Sequence, residues 1–165
     1  DALPILAFQE ALKLEPDDVE IKYQLGITYM ELYNFNVAAK YFEEYVTQNN
    51  QDEIAFFFLG KCYYEIGDYL AAILALQRAN VSSPNDHRIL YYIGKSYSGL
   101  GEESDAALTF RKALKINPED PEIYFELGKS YYKLNKIKKV TETLDILNML
   151  DRSLYDQLYF EVIRR

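Results

Sequence analysis

Four glycines recur every 34 residues, and this register is the feature that most limits how the chain can fold. They are Gly26, Gly60, Gly94 and Gly128. A tyrosine follows each glycine after three residues, and these tyrosines are Tyr29, Tyr63, Tyr97 and Tyr131. Aspartates repeat with the same period, at Asp18, Asp52, Asp86 and Asp120. Self-similarity at this period indicates a helical repeat array in which each copy packs on its neighbours.

Start and stop signals place the helices within each copy. The four aspartates stand directly before amphipathic stretches, where a carboxylate accepts hydrogen bonds from unpaired backbone N–H groups. Pro121 follows Asp120 at a first helical position, where its missing N–H costs nothing. We therefore expect first helices near 19–32, 53–66, 87–100 and 121–134, and second helices near 36–49, 70–82, 104–116 and 137–150. A partial second helix near 4–14 and a terminal helix near 153–164 complete the prediction.

The glycines lie in the middle of the predicted first helices, where glycine costs about 1 kcal/mol relative to alanine. A close approach of the neighbouring helix must offset this cost, so the glycine column predicts tight helix crossings. Cys62, the one cysteine, is one period from Thr28, Ser96 and Ser130. Because all of these residues are small, we expect Cys62 to be buried between helices rather than to be a reactive thiol.

The repeated motif resembles the tetratricopeptide repeat. The third copy is a close match, in Leu90, Ile93-Gly94, Tyr97, Ala106, Phe110, Ala113 and Pro118. The resemblance implies an all-α fold, a right-handed superhelical solenoid of antiparallel helix hairpins. We expect a single domain, 1–165, that starts with a partial repeat, 1–18, and ends with a capping helix, 155–165. Its complete repeats would be 19–52, 53–86, 87–120 and 121–154.

The fourth copy departs from the motif. Val140 stands where a small residue normally lets the two helices of a hairpin approach each other. We therefore expect the last hairpin to be splayed or repacked and to end the regular array.

Function is expected on the face of the first helices that the core does not use. At 100° per residue, Phe57, Lys61 and Tyr64 lie nearly opposite Leu59 and Gly60, so we expect their face to be exposed. In the tetratricopeptide family, the resemblance implies, first helices line a concave groove that holds a peptide. The candidate groove residues are Tyr23, Phe57, Lys61, Tyr64, Arg88, Tyr91, Lys95, Phe125, Lys129 and Tyr132.

Aromatic rings and lysines together suit a peptide with apolar and acidic side chains, because rings bury apolar area while ammonium groups pair with carboxylates. Arg88 could grip such a carboxylate in bidentate fashion. Chaperone-associated members of the family use a carboxylate clamp with groove asparagines, but Ile27 and Phe58 occupy two of those positions here. The alternative for the lysine columns is that they reflect ancestry and solubility.

Several function classes find no support in the sequence. The net charge of −8 disfavours nucleic acid. His87, the one histidine, opens a helix and is expected to cap it or to be solvated rather than to bind a metal. The basic cluster at Lys133, Lys136, Lys138 and Lys139 is expected to be a solvated loop, with contact to an acidic partner as the alternative. No phosphate loop, nucleophile with a base, cofactor motif or apolar run long enough for membrane insertion is present.

We therefore predict a non-enzymatic scaffold for protein–protein interaction, without a cofactor, that binds a partner peptide in the groove. Two alternatives stay open. The chain could be a regulatory or substrate-docking module of a larger enzyme, or it could form a homo-oligomer through the open N-terminal end at Leu6, Ala7 and Ala11. A cytoplasmic location is expected, with a periplasmic or membrane-tethered one if a segment is missing upstream.

Overall fold

A computed structural model describes residues 3–162, and over this range the chain forms ten α-helices. The helices are α1 (Leu3–Leu14), α2 (Val19–Glu31), α3 (Phe35–Gln48), α4 (Glu53–Glu65), α5 (Tyr69–Ser82), α6 (His87–Gly99), α7 (Glu103–Ile116), α8 (Pro121–Lys133), α9 (Ile137–Leu150) and α10 (Arg152–Val162). The predicted helix ends that fall within the described residues agree with these bounds to within one residue. None of these helices has the length and apolar content that a membrane crossing requires.

The chain divides into two compact units, one up to Pro84 and the other from Asn85 onward. In the first unit, α1 to α5 pack in sequence, each on the next. In the second unit, α6 to α9 do the same, and α10 packs on both α8 and α9. Each unit has its own apolar core, centred on Phe42 in the first and on Phe110 in the second. Whether the two units act as one domain with the repeat boundaries given above stays a prediction.

The aspartate column caps the first helices as predicted. Each carboxylate accepts hydrogen bonds of 2.9 to 3.3 Å from backbone N–H groups in the first turn of the helix that follows it. Pro121 occupies the first position of α8. These contacts satisfy donors that have no partner within the helix, and so they fix where each first helix begins.

The turns inside the hairpins share one geometry. The second residue after each first helix adopts a left-handed backbone conformation, at Tyr33, Gly67, Gly101 and Asn135. The N–H of the following residue then donates to the carbonyl of the tyrosine that stands three residues after the repeat glycine, over 2.8 to 2.9 Å. We call these residues, Tyr29, Tyr63, Tyr97 and Tyr131, the column tyrosines. This bond pattern ends a helix by a Schellman motif, for which glycine is the preferred residue because it lacks a Cβ. These turns lie in the short gaps between the predicted first and second helices.

The glycine column marks close helix crossings, as predicted. A Cβ on Gly26 would lie 2.9 Å from the ring of Phe42, and one on Gly94 would lie 2.6 Å from the ring of Phe110. At Gly60 the neighbour is Leu76, at 2.5 Å. Each of these neighbours stands 16 residues after its glycine, on the second helix of the same hairpin.

The last hairpin departs from this pattern. The side chain nearest to Gly128 is Leu158 of α10, and Thr143 of α9 is 3.3 Å from the same point. Leu144, which stands 16 residues after the glycine, does not take the place that Phe110 has in the preceding hairpin. Val140 is 1% exposed at the position where the other hairpins bury an alanine. The added volume of valine accounts for the change, because the two helices cannot meet as closely.

Cys62 is fully buried in the core of the first unit, as predicted. Burial raises the pKa of its thiol to about 12, so the reactive thiolate is scarce at neutral pH.

Replacing Gly94 with leucine is expected to destabilise the protein by about 3 kcal/mol, because the new side chain would overlap the buried ring of Phe110. Chemical denaturation measures this loss. Ser104→Leu, at an exposed position of α7, is the matched control and should change the free energy of unfolding by less than about 0.5 kcal/mol. Equal stability of the two variants would show that Gly94 does not mark a close crossing.

The Cys62 thiol is expected to react with an aromatic disulfide reagent at a small fraction of the rate of a free thiol, because it is buried and protonated. A Cys62→Ala, Ser104→Cys double variant supplies an exposed thiol on the same protein for comparison. Comparable labelling rates for the two folded proteins would contradict the burial of Cys62.

Candidate peptide-binding surface

In the first unit, the candidate surface begins at Tyr23 of α2. Its ring centre lies 4.8 Å from that of Tyr45 and 5.8 Å from that of Phe42, both on α3. Burial raises the pKa of the Tyr23 hydroxyl, and the nearby carboxylates of Asp52 and Glu20 raise it further. Tyr23 is therefore half-buried, and its ring is part of the contact between α2 and α3.

Three candidate residues, Phe57, Lys61 and Tyr64, follow one face of α4, and all three are half-buried. The ring centre of Phe57 lies 5.8 Å from that of Phe58, and the ring centre of Tyr64 lies 5.8 Å from that of Tyr69 on α5. The spacing of four and then three residues places these side chains along a single stripe of the helix. The structure therefore brings the α4 candidates together.

In the second unit, Tyr91 and Lys95 lie one turn apart on α6. The Lys95 ammonium is 5.2 Å from the centre of the Tyr91 ring and 5.5 Å from that of Tyr92. Tyr91 also packs on Phe110, with ring centres 6.2 Å apart. A cation over aromatic faces is attracted by the negative charge of the π-systems. Lys95 and its rings therefore present positive charge and apolar area at one place.

The same pairing recurs on α8, which contacts α6. The Lys129 ammonium is 5.1 Å from the centre of the Phe125 ring and 3.2 Å from a carboxylate oxygen of Glu126. Tyr132, one turn further on, is 36% exposed.

A cavity of about 270 Å³ lies beside these residues on α8. It is lined by Lys129, Tyr132, Lys133, Glu161 and Val162. Two of the predicted groove residues thus open into a concavity whose other wall is α10. The repeat pattern did not predict that α10 would form this wall, because α10 does not continue the glycine and tyrosine columns.

The structure corrects the expectation that this face is fully exposed. The four rings of the aromatic column are half-buried, and so are its three lysines. The reason is that a first helix inside the array contacts two second helices, as α4 contacts both α3 and α5. The apolar contact therefore covers a wider arc of the helix than a single hairpin would need, and each ring of the column is only partly accessible.

Arg88 is also placed differently from the expectation. Its guanidinium donates to both carboxylate oxygens of Asp86, over 2.7 to 3.2 Å, while the Asp86 carboxylate accepts from the Arg88 backbone N–H. These bonds hold the pKa of Asp86 below its ordinary value. Arg88 therefore holds the cap of its own helix, and a ligand carboxylate would have to compete with Asp86.

Lys133 and Glu103 form an ion pair that the sequence analysis missed. The Lys133 ammonium is 2.6 Å from one oxygen of Glu103, and the Ser98 hydroxyl donates to the other oxygen over 2.8 Å. Glu103 is only 8% exposed, in a column that otherwise holds Phe35, Tyr69 and Ile137. The sequence signal for this ion pair was a glutamate at a repeat position that otherwise holds aromatic or aliphatic residues. Lys133 therefore ties α8 to α7 and is not part of a solvated loop.

His87 neither caps its helix nor is simply solvated. Its Nε2 atom is 3.3 Å from the Asn117 amide nitrogen and 3.7 Å from a carboxylate oxygen of Asp120. The ring thereby joins the start of α6 to the residues that lead into α8. In the part of the chain that the structure describes, no cluster of His, Cys, Asp or Glu has the composition of a metal site.

Replacing Arg88 with alanine is expected to raise the pKa of Asp86 toward its ordinary value of 3.8, because the guanidinium bonds that favour the carboxylate are lost. A lowered pKa stabilises the fold above the unfolded-state pKa, and this stabilisation is lost as the pH falls through the folded-state value. The variant should therefore be less stable than wild type at neutral pH and equally stable in strong acid.

NMR titration of the Asp86 carboxyl carbon, with thermal unfolding at both pH values, measures the effect of Arg88→Ala. Arg78→Ala is the control, because Arg78 lies over the Phe56 ring and is not among the groups that shift the pKa of Asp86. An unchanged Asp86 titration in the Arg88 variant would contradict the role given to the guanidinium.

Comparison with known proteins agrees with this architecture. A tetratricopeptide repeat model matches residues 5–53 and 23–87, and a TPR repeat model matches residues 100–135. No protein with curated function matches the sequence. Among solved structures, a crystal structure of MamA is 28% identical, covers 88% of this chain and 87% of its own, and has a TM-score of 0.78.

Two further solved structures support the fold alone, because they are less than 25% identical. MamA residues 41-end from Desulfovibrio magneticus RS-1 is 24% identical over 88% of this chain and 82% of its own, with a TM-score of 0.83. YrrB, described as a TPR protein with an unusual peptide-binding site, is 21% identical over 91% of this chain and 78% of its own, with a TM-score of 0.82. The all-α array of helix hairpins is thereby confirmed, and the chain belongs to the tetratricopeptide repeat family.

Proposed function

We propose that the chain is an interaction scaffold that binds a peptide segment of a partner protein along the candidate surface of its first helices. Tetratricopeptide repeat proteins are generally non-enzymatic scaffolds, and the solved structures that resemble this chain are repeat proteins of the same kind. The observation that carries the proposal is the paired arrangement of lysine and ring on α6 and α8. Lys95 over Tyr91 and Lys129 over Phe125 repeat one chemical unit at one register.

Each lysine–ring pair suits a peptide that carries both apolar and acidic side chains. A ligand side chain that covers the ring edge loses water from apolar surface, while a neighbouring carboxylate pairs with the ammonium. Because each ring is already fixed by contacts with the core, little side-chain freedom is lost on binding. The cavity beside Lys129 and Tyr132 adds a concave place in which one ligand side chain is surrounded on several sides.

Half-burial also shapes what such a surface can bind. A contiguous stripe of fully exposed rings would favour non-specific association, whereas half-buried rings offer smaller apolar patches between charges. A peptide then gains affinity from several short contacts in register rather than from one deep pocket. The alternatives of an enzyme-docking module and of self-association through α1, where Leu6 is 55% exposed, stay predictions.

Peptides selected from a displayed random library on the wild-type protein test the proposal. Tyr132→Ala and Tyr91→Ala are each expected to weaken binding by about 2 kcal/mol, or about 30-fold in Kd, because a buried apolar contact is lost. The loss should persist at high salt. Lys95→Glu should instead slow association, mainly at low ionic strength, since a partly exposed charge steers encounter and is screened by salt.

Tyr33→Ala is the matched control, because Tyr33 is 82% exposed at a hairpin turn outside the candidate surface. Thermal unfolding of Tyr91→Ala separates lost binding from lost fold, and Tyr132→Ala repeats the test at a less buried ring. Selected peptides that bind all of these variants with the wild-type Kd would refute the proposed surface.

A further inference from the structure

A cleft of about 460 Å³ lies in the second unit, between α7 and α9. Its floor is α8, where Leu127 and Tyr131 are buried. Its rim carries the exposed cations Arg111, Lys115 and Lys139, together with one exposed carboxylate, Glu142. An apolar floor with a polar rim is the usual composition of a protein interface. This α7–α9 cleft uses the side of α8 that faces away from Phe125 and Lys129.

The column tyrosines explain what is unusual about this cleft. In the first unit, the residue that stands 20 positions before a column tyrosine forms a hydrogen bond with its hydroxyl. The Gln9 amide donates to the Tyr29 hydroxyl over 3.0 Å, and the Tyr63 hydroxyl donates to the Glu43 carboxylate. Each bond joins a second helix to the first helix that follows it.

At Tyr131 the residue 20 positions earlier is Arg111, which has no acceptor atom for a phenol proton. Arg111 and Lys115 form no ion pair with any carboxylate in residues 3–162. The Lys139 ammonium lies 5.1 Å from the centre of the Tyr131 ring. Burial raises the pKa of Tyr131, Arg111 opposes this rise and Glu142 adds to it, so both charges are close enough to act on the hydroxyl.

At the corresponding place in the first unit, two periods earlier, the chain supplies a carboxylate of its own. Glu43 binds Tyr63, Ala71 stands where the second unit has Lys139, and Arg78 lies 5.6 Å over the Phe56 ring. The second unit has therefore exchanged an internal carboxylate for a cation and added a second cation opposite it. The first unit therefore has a carboxylate beside its tyrosine hydroxyl, whereas the second unit has two cations, Arg111 and Lys139, beside Tyr131.

We propose that the α7–α9 cleft is a second binding site, which receives an acidic segment of a partner protein. A glutamate or aspartate of the segment takes the place that Glu43 has in the first unit, where it accepts a hydrogen bond from the Tyr131 hydroxyl and pairs with Arg111 and Lys139. An apolar neighbour of that residue packs on Leu114 and Ile146, which line the same cleft. The net charge of the rim, three cations against Glu142, selects acidic over basic segments. This site does not depend on the surface of the first helices.

The test uses a short synthetic peptide in which Glu and Leu alternate, and a twin in which every Glu is Gln. With the isotope-labelled whole chain, the Glu peptide should shift amide resonances of α7 and α9 around Arg111 and Lys139, and the Gln twin should bind at least about tenfold more weakly. Arg111→Glu should weaken binding of the Glu peptide by at least about tenfold, because the new carboxylate accepts the hydrogen bond of the Tyr131 hydroxyl and repels the ligand.

Lys112→Glu is the matched control, since it makes the same charge change at the exposed neighbouring position of α7 and does not line the cleft. It should alter affinity by less than about threefold at moderate salt. Lys95→Glu should leave cleft binding unchanged, which separates this proposal from the surface on α6 and α8. Arg111→Glu should also raise the pKa of Tyr131 further, because a carboxylate that accepts a hydrogen bond from the phenol stabilises its neutral form, as Glu43 does for Tyr63.

Equal losses in Arg111→Glu and Lys112→Glu would mean that only net charge matters and would overturn the proposal. So would peptide shifts confined to the first helices, or the absence of shifts at millimolar peptide. A concentration-dependent rise in solution mass without peptide, abolished by Arg111→Glu, would assign the cleft to a second copy of the chain instead.

Discussion

The fold depends on one contact repeated along the chain, a glycine of a first helix against the residue 16 positions later on the second helix. Removing the Cβ at Gly26, Gly60 and Gly94 lets an aromatic ring or a leucine fill the space directly above the backbone. Glycine costs about 1 kcal/mol in a helix interior, so the burial of a whole side chain against it must more than offset that cost. Every other regular feature, from the aspartate caps to the left-handed turns, sets the length and phase of the helices so that this contact can form.

The last hairpin shows what happens when the contact is changed. Val140 replaces the small residue that normally faces the partner helix, and the space above Gly128 is then filled from α10 by Leu158. The contact is kept, but its source moves to a helix outside the repeat pattern. The same helix also supplies one wall of the cavity beside Lys129 and Tyr132, through Glu161 and Val162. A helix outside the repeat pattern therefore both completes the glycine contact and shapes a concave surface.

The sequence predicted the fold better than the surface, and the reason is physical. Caps, turns and glycine crossings are local or periodic, so Asp52 or Gly94 can be read from its own column. Exposure is not local, because it depends on how many helices pack around a residue, and the rings of Tyr23 and Tyr91 proved half-buried. The partner of a charged side chain is equally hard to predict. Arg88 is bonded to Asp86, next to its own helix, and Lys133 forms an ion pair with Glu103 of another helix. Such partners are hard to predict because a long side chain has several charged groups within its range.

The two units show how one backbone can carry different surfaces. The backbone of each column tyrosine is held by the hydrogen bond of the hairpin turn. The packing of successive hairpins places the residue 20 positions earlier near the tyrosine hydroxyl. That residue contributes little to the core, so its identity can change from Gln9 to Glu43 to Arg111 without disturbing the array. Each choice decides whether an amide, a carboxylate or a cation lies beside the tyrosine hydroxyl. The surface chemistry at these positions is therefore set by residues that the repeat motif leaves unspecified, while the motif itself supplies their geometry.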